Sequence, residues 1–139
     1  MILLFYSKKS ESGEQIRKIV GDLMPVNKRL ETCHCIDDLS ERMRHPMGGL
    51  SMIILLADTQ DDLDNLLTLS AIFENFDIIL ILPDKTPGTI FKGYKFFPRY
   101  AGFKNDDFSE LVLILARMIK KNQNHKSSEV CHETEYSGD

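Results

Sequence analysis

Two stretches of the chain, SMIILLA over residues 51–57 and DIILILP over residues 77–83, are apolar at odd and even positions alike. A strand with one face in water alternates apolar with polar residues, and a strand covered on both faces does not. Two such strands in a chain of 139 residues require one sheet with helices on both sides, which is the setting of parallel strands. That length suffices for one domain with its own core and not for two.

The remaining segments supply the other strands and the covering helices. The first strand is Ile2 to Tyr6, and a weaker second covers Arg29 to His34. Strand five is placed at Arg99 to Phe103, after Pro98. Helix one is expected from Ser12 to Met24, with Ile16, Ile19, Val20 and Leu23 on one face, Ser12 as N-cap, Gln15 at the capping-box position and Pro25 as the stop. Helix two starts at Asp37-Asp38 and stops at His45-Pro46, before a Gly48-Gly49 loop. Helix three runs from Gln60 to Asn75, with Leu63, Leu66, Leu67, Ala71 and Ile72 inward. Asp84 to Gly88 is a loop, and a short helix four covers Thr89 to Phe96. Helix five covers Asp107 to Lys121 with Phe108, Leu111, Val112, Leu115 and Met118 inward. Residues 1–121 form the domain, and the polar stretch 122–139 reads as a flexible tail. Right-handed crossovers then give a three-layer α/β/α sandwich whose five-stranded parallel sheet has the order 2-1-3-4-5. Ligands and chemistry in such a sheet gather at the carboxyl ends of the strands. The residues to read are therefore 6–12, 58–62, 83–88 and 104–107.

Charge and cysteines narrow the classes. Seventeen basic and twenty-one acidic side chains leave a net charge of −4, with no global attraction to nucleic acid or to an anionic membrane. No apolar run approaches the ~20 residues that span a bilayer. No basic segment precedes the first strand and no small-residue cleavage site follows it, so a signal peptide is not expected. The expected location is the cytoplasm, with Cys33, Cys35 and Cys131 reduced. Cys33-His34-Cys35 puts three soft ligands in a row, which His45 or Cys131-His132 would have to complete. The spacing is not that of a zinc site, and small buried thiols on a sheet are the ordinary reading.

Residues 10–15, SESGEQ, resemble the phosphate loop of the flavodoxin family, in which hydroxyls and backbone N–H groups hold an FMN phosphate at a helix N-terminus. On that resemblance Ser10, Ser12 and Gly13 would be the phosphate-binding residues of a small electron carrier. Gln15 departs from the pattern. Glu11 and Glu14 would repel a phosphate, and the loop after strand three, DTQDD, offers no aromatic to cover a flavin. Tyr94 is the nearest candidate. A capped helix start is the ordinary reading, and no cofactor is expected.

Almost all of residues 1–121 resemble the response-regulator receiver family. The most specific match is Lys104-Asn105-Asp106-Asp107-Phe108-Ser109-Glu110-Leu111, similar to the junction where receivers place a phosphoryl-contacting lysine before helix five. The resemblance gives Lys104 that role and puts Asp58 close to the phosphoacceptor position. Other parts depart from it. Tyr6 and Ser7 stand where receivers carry the acidic pair that binds Mg²⁺, and a phenol and a hydroxyl do not replace two carboxylates. Leu82-Pro83 replaces the family's Ser/Thr, with Thr86 nearby, Asn105 replaces a proline, and Ala101 beside Tyr100 replaces the strand-five aromatic. The implied protein is a degenerate, or pseudo-, receiver: a two-component-like signalling module that binds partners and is not an enzyme. A working receiver remains an alternative, phosphorylated on Asp58 with metal ligands from Asp58, Asp61 and Asp62. The ordinary reading of that acidic run, with Asp64, is a solvated helix start.

The densest basic-aromatic stretch holds Lys92, Tyr94, Lys95, Phe97, Arg99, Tyr100 and Lys104. Single-stranded nucleic acid stacks on such surfaces, but the acidic balance opposes it. Receivers use the face of helix four, strand five and helix five for partners, so the resemblance implies a protein partner or a homodimer there.

Overall fold

Short apolar runs fold as strands and amphipathic runs as helices in strict alternation. The elements are β1 (Ile2–Tyr6), α1 (Glu11–Leu23), β2 (Arg29–Cys33), α2 (Ile36–Arg44), β3 (Leu50–Leu56), α3 (Gln60–Leu67), β4 (Asp77–Leu82), α4 (Pro87–Tyr94), β5 (Tyr100–Phe103) and α5 (Ser109–His132). The computed structural model describes residues 2–25, 28–45 and 50–132, with residues 51 and 122–132 described by their backbone alone. The expected stop at Pro46, the Gly48-Gly49 loop and the end of the tail lie outside the described residues. So do the side chains of Cys131 and His132.

All the strand pairs are parallel, and the sheet order is β2-β1-β3-β4-β5. This is the flavodoxin-like arrangement, which receivers share. Successive residues of each strand point to opposite faces, so the two apolar runs feed two cores. Leu4, Tyr6, Ile53, Leu55, Leu80 and Leu82 meet Leu39 of α2, Leu63 and Leu66 of α3, Phe73 and Phe96. Leu3, Phe5, Ile54, Leu56, Ile79 and Ile81 meet Ile16 and Val20 of α1 and Leu111, Leu115 and Ile119 of α5. Each fully buried Leu or Ile contributes about 1.5–3 kcal/mol, which is why these runs set the layers.

Several element ends differ from the sequence expectation. The N-cap of α1 is Ser10, not Ser12: its backbone is extended and its Oγ accepts from Gly13 N at 3.0 Å. Strand β2 ends at Cys33 rather than His34, and α4 begins two residues early because Pro87 suits a first helical position. Helix α3 stops at Leu67, where Leu69 N bonds Leu66 O at 2.9 Å and a turn of 3₁₀ helix follows at Ser70–Phe73. Helix α5 continues to His132, so the backbone over 122–132 is helical where a flexible tail was expected. No proline or glycine lies between Gly102 and Gly138 to end it.

Candidate functional site

The carboxyl ends of β1, β3 and β5 are extended by single backbone bonds beyond the strands. Ser7 N bonds Cys33 O at 3.1 Å, Ala57 N bonds Ile81 O at 2.9 Å, and Lys104 N bonds Leu82 O at 2.9 Å. These fix the first residues of the loops and bring Tyr6, Lys8, Asp58, Asp62 and Lys104 to one edge of the sheet.

Two carboxylates and two lysines face each other there. Thr59 caps α3, its Oγ1 accepting from Asp62 N at 3.1 Å, and so turns Asp62 inward, where it is only 3% exposed. A buried carboxylate needs both hydrogen bonds and a counter-charge. Asp62 Oδ2 accepts from Asp58 N at 3.2 Å, and Lys8 Nζ lies 3.0 Å from Oδ1 as an ion pair that lacks hydrogen-bond alignment. The Asp62 carboxylate beside it holds the Lys8 ammonium above its ordinary range. Lys104 Nζ donates to the carbonyl oxygen of Asp58 at 2.7 Å and lies 3.9 Å from its Oδ1, while Asp58 Oδ2 is buried without a hydrogen-bond partner among the described residues. The Tyr6 hydroxyl is likewise buried and unpartnered, and burial, with Asp62 second, pushes its pKa up to about 12. The charges of the edge thus balance within the chain, two against two.

Asp58, Asp62 and Lys104 lie together at this edge. Asp61 is exposed in the first turn of α3. Lys8 carries no signal of this role in the sequence, because only the cap at Thr59 reveals which aspartate is buried. The phosphate-loop residues are engaged otherwise. The Gly13 N–H is taken by Ser10, and a Cβ on Gly13 would lie 2.5 Å from Ser7 Oγ, so the loop packs directly on α1. Cys33, His34 and Cys35 go to three surroundings: Cys33 is buried and its thiol is pushed up by burial, His34 Nδ1 is 2.9 Å from Ser7 O, and Cys35 is exposed.

A second polar group lies between α3 and α4. Asp84 Oδ1 accepts from Thr86 N at 3.0 Å and Thr86 Oγ1 at 2.7 Å, which holds this carboxyl well below the usual range. Gln60 Nε2 donates to Asp84 Oδ2 at 3.0 Å and to Thr89 Oγ1, and Lys92 Nζ bonds Gln60 Oε1 at 3.4 Å and Asp64 Oδ1 at 2.8 Å. Thr86, the residue nearest the family's Ser/Thr position, is therefore committed to the start of α4.

The clasp holds α4 with one face down. Gly93 lets the helix approach β4 closely, since a Cβ there would be 3.1 Å from Leu82 Cδ1. The opposite face turns aromatic rings outward: Phe91 is 64%, Tyr94 66% and Phe97 84% exposed. Phe97 has φ +49°, a left-handed conformation that costs a non-glycine residue about 1 kcal/mol or more. Lys95 stands over the Phe91 ring at 5.2 Å, and Arg99 lies 3.9 Å from Asp77. Tyr100 is turned inward against the α1–α5 core and its hydroxyl donates to Glu110 at 3.4 Å, so it belongs to the opposite side of the sheet from Tyr94 and Phe97. Lys104 also lies apart from them, at the sheet edge. The seven residues grouped by sequence thus divide between α4 and its following turn, β5, and the carboxyl edge.

No protein-family model matches the sequence, and no curated protein matches it. A crystal structure of a Burkholderia pseudomallei K96243 protein described as pilus assembly-related has a TM-score of 0.60 to this chain, with 14% identity, covering 87% of each chain. At that identity the likeness shows the fold alone. No helix among the described residues is long and apolar enough to cross a membrane.

Proposed function

We propose that the chain is a receiver-like interaction module of the cytoplasm. It would act by binding a partner protein through the outer face of α4 and its following turn, and not by catalysis. The observation that carries this reading is the exposure of Phe91 and Tyr94 on α4 and of Phe97 in the turn that follows it. Exposed aromatics with a cationic rim suit a protein interface. Lys95 stands at the rim of these rings, so the partner is an apolar protein surface bordered by acidic side chains. The strained backbone at Phe97 supports the reading, because a ring held outward at such a cost has no packing reason to be there.

The carboxyl edge supports the negative half. In a receiver Mg²⁺ neutralises the phosphoryl oxygens. Here Lys8 and Lys104 already stand against Asp62 and Asp58, and Tyr6 fills the floor. The Burkholderia protein is called pilus assembly-related, and a role of that kind for this chain would also be one of binding.

The test is site-specific photo-crosslinking in the native host. A photoreactive phenylalanine analogue at Tyr94 and at Phe97 is expected to capture the same protein, one with an acidic binding segment, and Phe91→Ala is expected to abolish the adduct. The same analogue at Lys18, on the exposed side of α1, is the control. Equal capture at Lys18, or different adducts at 94 and 97, would count against the reading.

A further inference from the structure

The outer side of α5 carries an ordered charge pattern that the α4 face does not explain. Ser109, Glu110, Leu113, Ala116, Arg117, Lys120 and Lys121 are all exposed, and Leu113 is 62% exposed. Acidic residues occupy the start, with Asp107 capping Ser109 at 3.1 Å and Asp106 3.4 Å from Lys85. Arg117, Lys120 and Lys121 follow, with no ion-pair partner among the described residues. The helix dipole favours acids in the first turn and bases in the last. It accounts for Asp107 and Glu110. It does not account for the bases, because α5 runs to His132 and they sit in its middle.

The signs are antisymmetric about the point between Leu113 and Ile114. Glu110 stands three places before Leu113, and Arg117 three places after Ile114. Asp107 and Lys120 stand six places out, and Asp106 and Lys121 seven. Within α5, Glu110, Leu113, Ile114, Arg117, Lys120 and Lys121 follow one another at steps of three and four along one face, and Asp106 and Asp107 stand just before the helix starts. A hollow flanks the stripe at each end. The one at the start, about 340 Å³, is bordered by Asp106, Asp107 and Glu110. The other, about 240 Å³, is bordered by Arg99, Arg117 and Lys121 over Ile114.

We infer that α5 is a self-association face whose occupant is α5 of a second copy of this chain, packed antiparallel about a twofold axis at Leu113–Ile114. An isologous contact must be self-complementary. In this register Leu113 meets Ile114 across the axis, Glu110 meets Arg117, and the acid-bordered hollow of each copy faces the base-bordered hollow of the other. A parallel pairing would set like charges together. The contact is centred on the outer side of α5, not on the α4 rings, and its charge pattern is an observation separate from the one that carries the function proposed above.

The test uses the full chain in sedimentation-velocity runs over a dilution series at low salt. Wild type is expected to sediment as a reversible dimer that weakens as salt is added. Glu110→Arg and Arg117→Glu each convert two attractive pairs into two repulsive ones. Each is expected to weaken the dimer by about tenfold or more. The double variant Glu110→Arg/Arg117→Glu restores both pairs with the signs reversed, and is expected to return the dimer to wild-type strength. Lys9→Glu, a charge change on an exposed residue away from α5, should leave it unaltered, and circular dichroism confirms that each variant is folded. A wild type that stays monomeric throughout would overturn the inference. So would a double variant as weak as the singles, or a loss with Lys9→Glu equal to that with Arg117→Glu.

Discussion

The carboxyl edge of the sheet and the outer face of α4 invert the usual distribution of side chains. At the edge, charged and polar groups are turned inward: Asp62 is buried, Asp58 is nearly so, and the Tyr6 hydroxyl is sealed beneath them. On α4, large aromatic rings are turned outward. The edge would be the reactive place in a receiver, yet its two carboxylates are matched by two lysines of the same chain. The α4 face has no such internal completion. Opposite charges that lie against one another leave no net charge for a ligand to balance, whereas large rings left mostly exposed have a reason to meet a partner.

Neighbouring residues give the largest contrast. Phe96 is 4% exposed, against 84% for Phe97. Phe96→Ala is expected to cost about 3–5 kcal/mol in urea unfolding, as for other buried phenylalanines. Phe97→Gly should instead stabilise the fold by about 1 kcal/mol, because glycine adopts positive φ without strain, while weakening capture through α4. A Phe97→Gly variant less stable than wild type would mean that the ring packs on its own chain.

At the edge the effects are smaller. Lys104→Met removes the 2.7 Å bond to the Asp58 carbonyl and should cost about 1 kcal/mol in the same measurement. Lys8→Met should lower the thermal midpoint by leaving Asp62 without its counter-charge, and adding Asp62→Leu should recover part of the loss. If Lys8→Met is silent, the edge is not neutralised in the way described.

Tyr6 gives the subtlest test. Its hydroxyl makes no bond among the described residues, so Tyr6→Phe should be neutral or stabilising by up to about 1 kcal/mol near pH 7. The folded protein holds its proton up to about pH 12, while the unfolded chain releases it near 10.0. Between those values the unfolded state binds fewer protons, so stability falls as pH rises through the window. Below 10 the contribution is fully present. Denaturation curves across that range should fall less steeply for Tyr6→Phe than for wild type.

The sheet was legible because SMIILLA and DIILILP allow only one environment, and the crossover rule then ordered the strands. Helix ends were less legible. Ser10 and Ser12 are equally good caps by type, and only the backbone at Ser10 decides between them. At the edge, Asp58 and Lys104 could be found from their places after strands three and five. Lys8 and the Gln60–Asp84–Thr89 clasp could not, because each depends on which side of a helix start a short side chain takes. The α4 aromatics could be read as a cluster, but composition alone did not separate the buried Phe96 from the exposed Phe97, nor assign Tyr100 to the opposite side of the sheet.

The most direct test of the contrast is the intact mass of the purified chain before and after incubation with Mg²⁺ and acetyl phosphate. A closed, self-neutralised edge predicts an unchanged mass. Gain of one phosphoryl group, lost again in Asp58→Asn, would contradict the account and make the edge a working phosphoacceptor site.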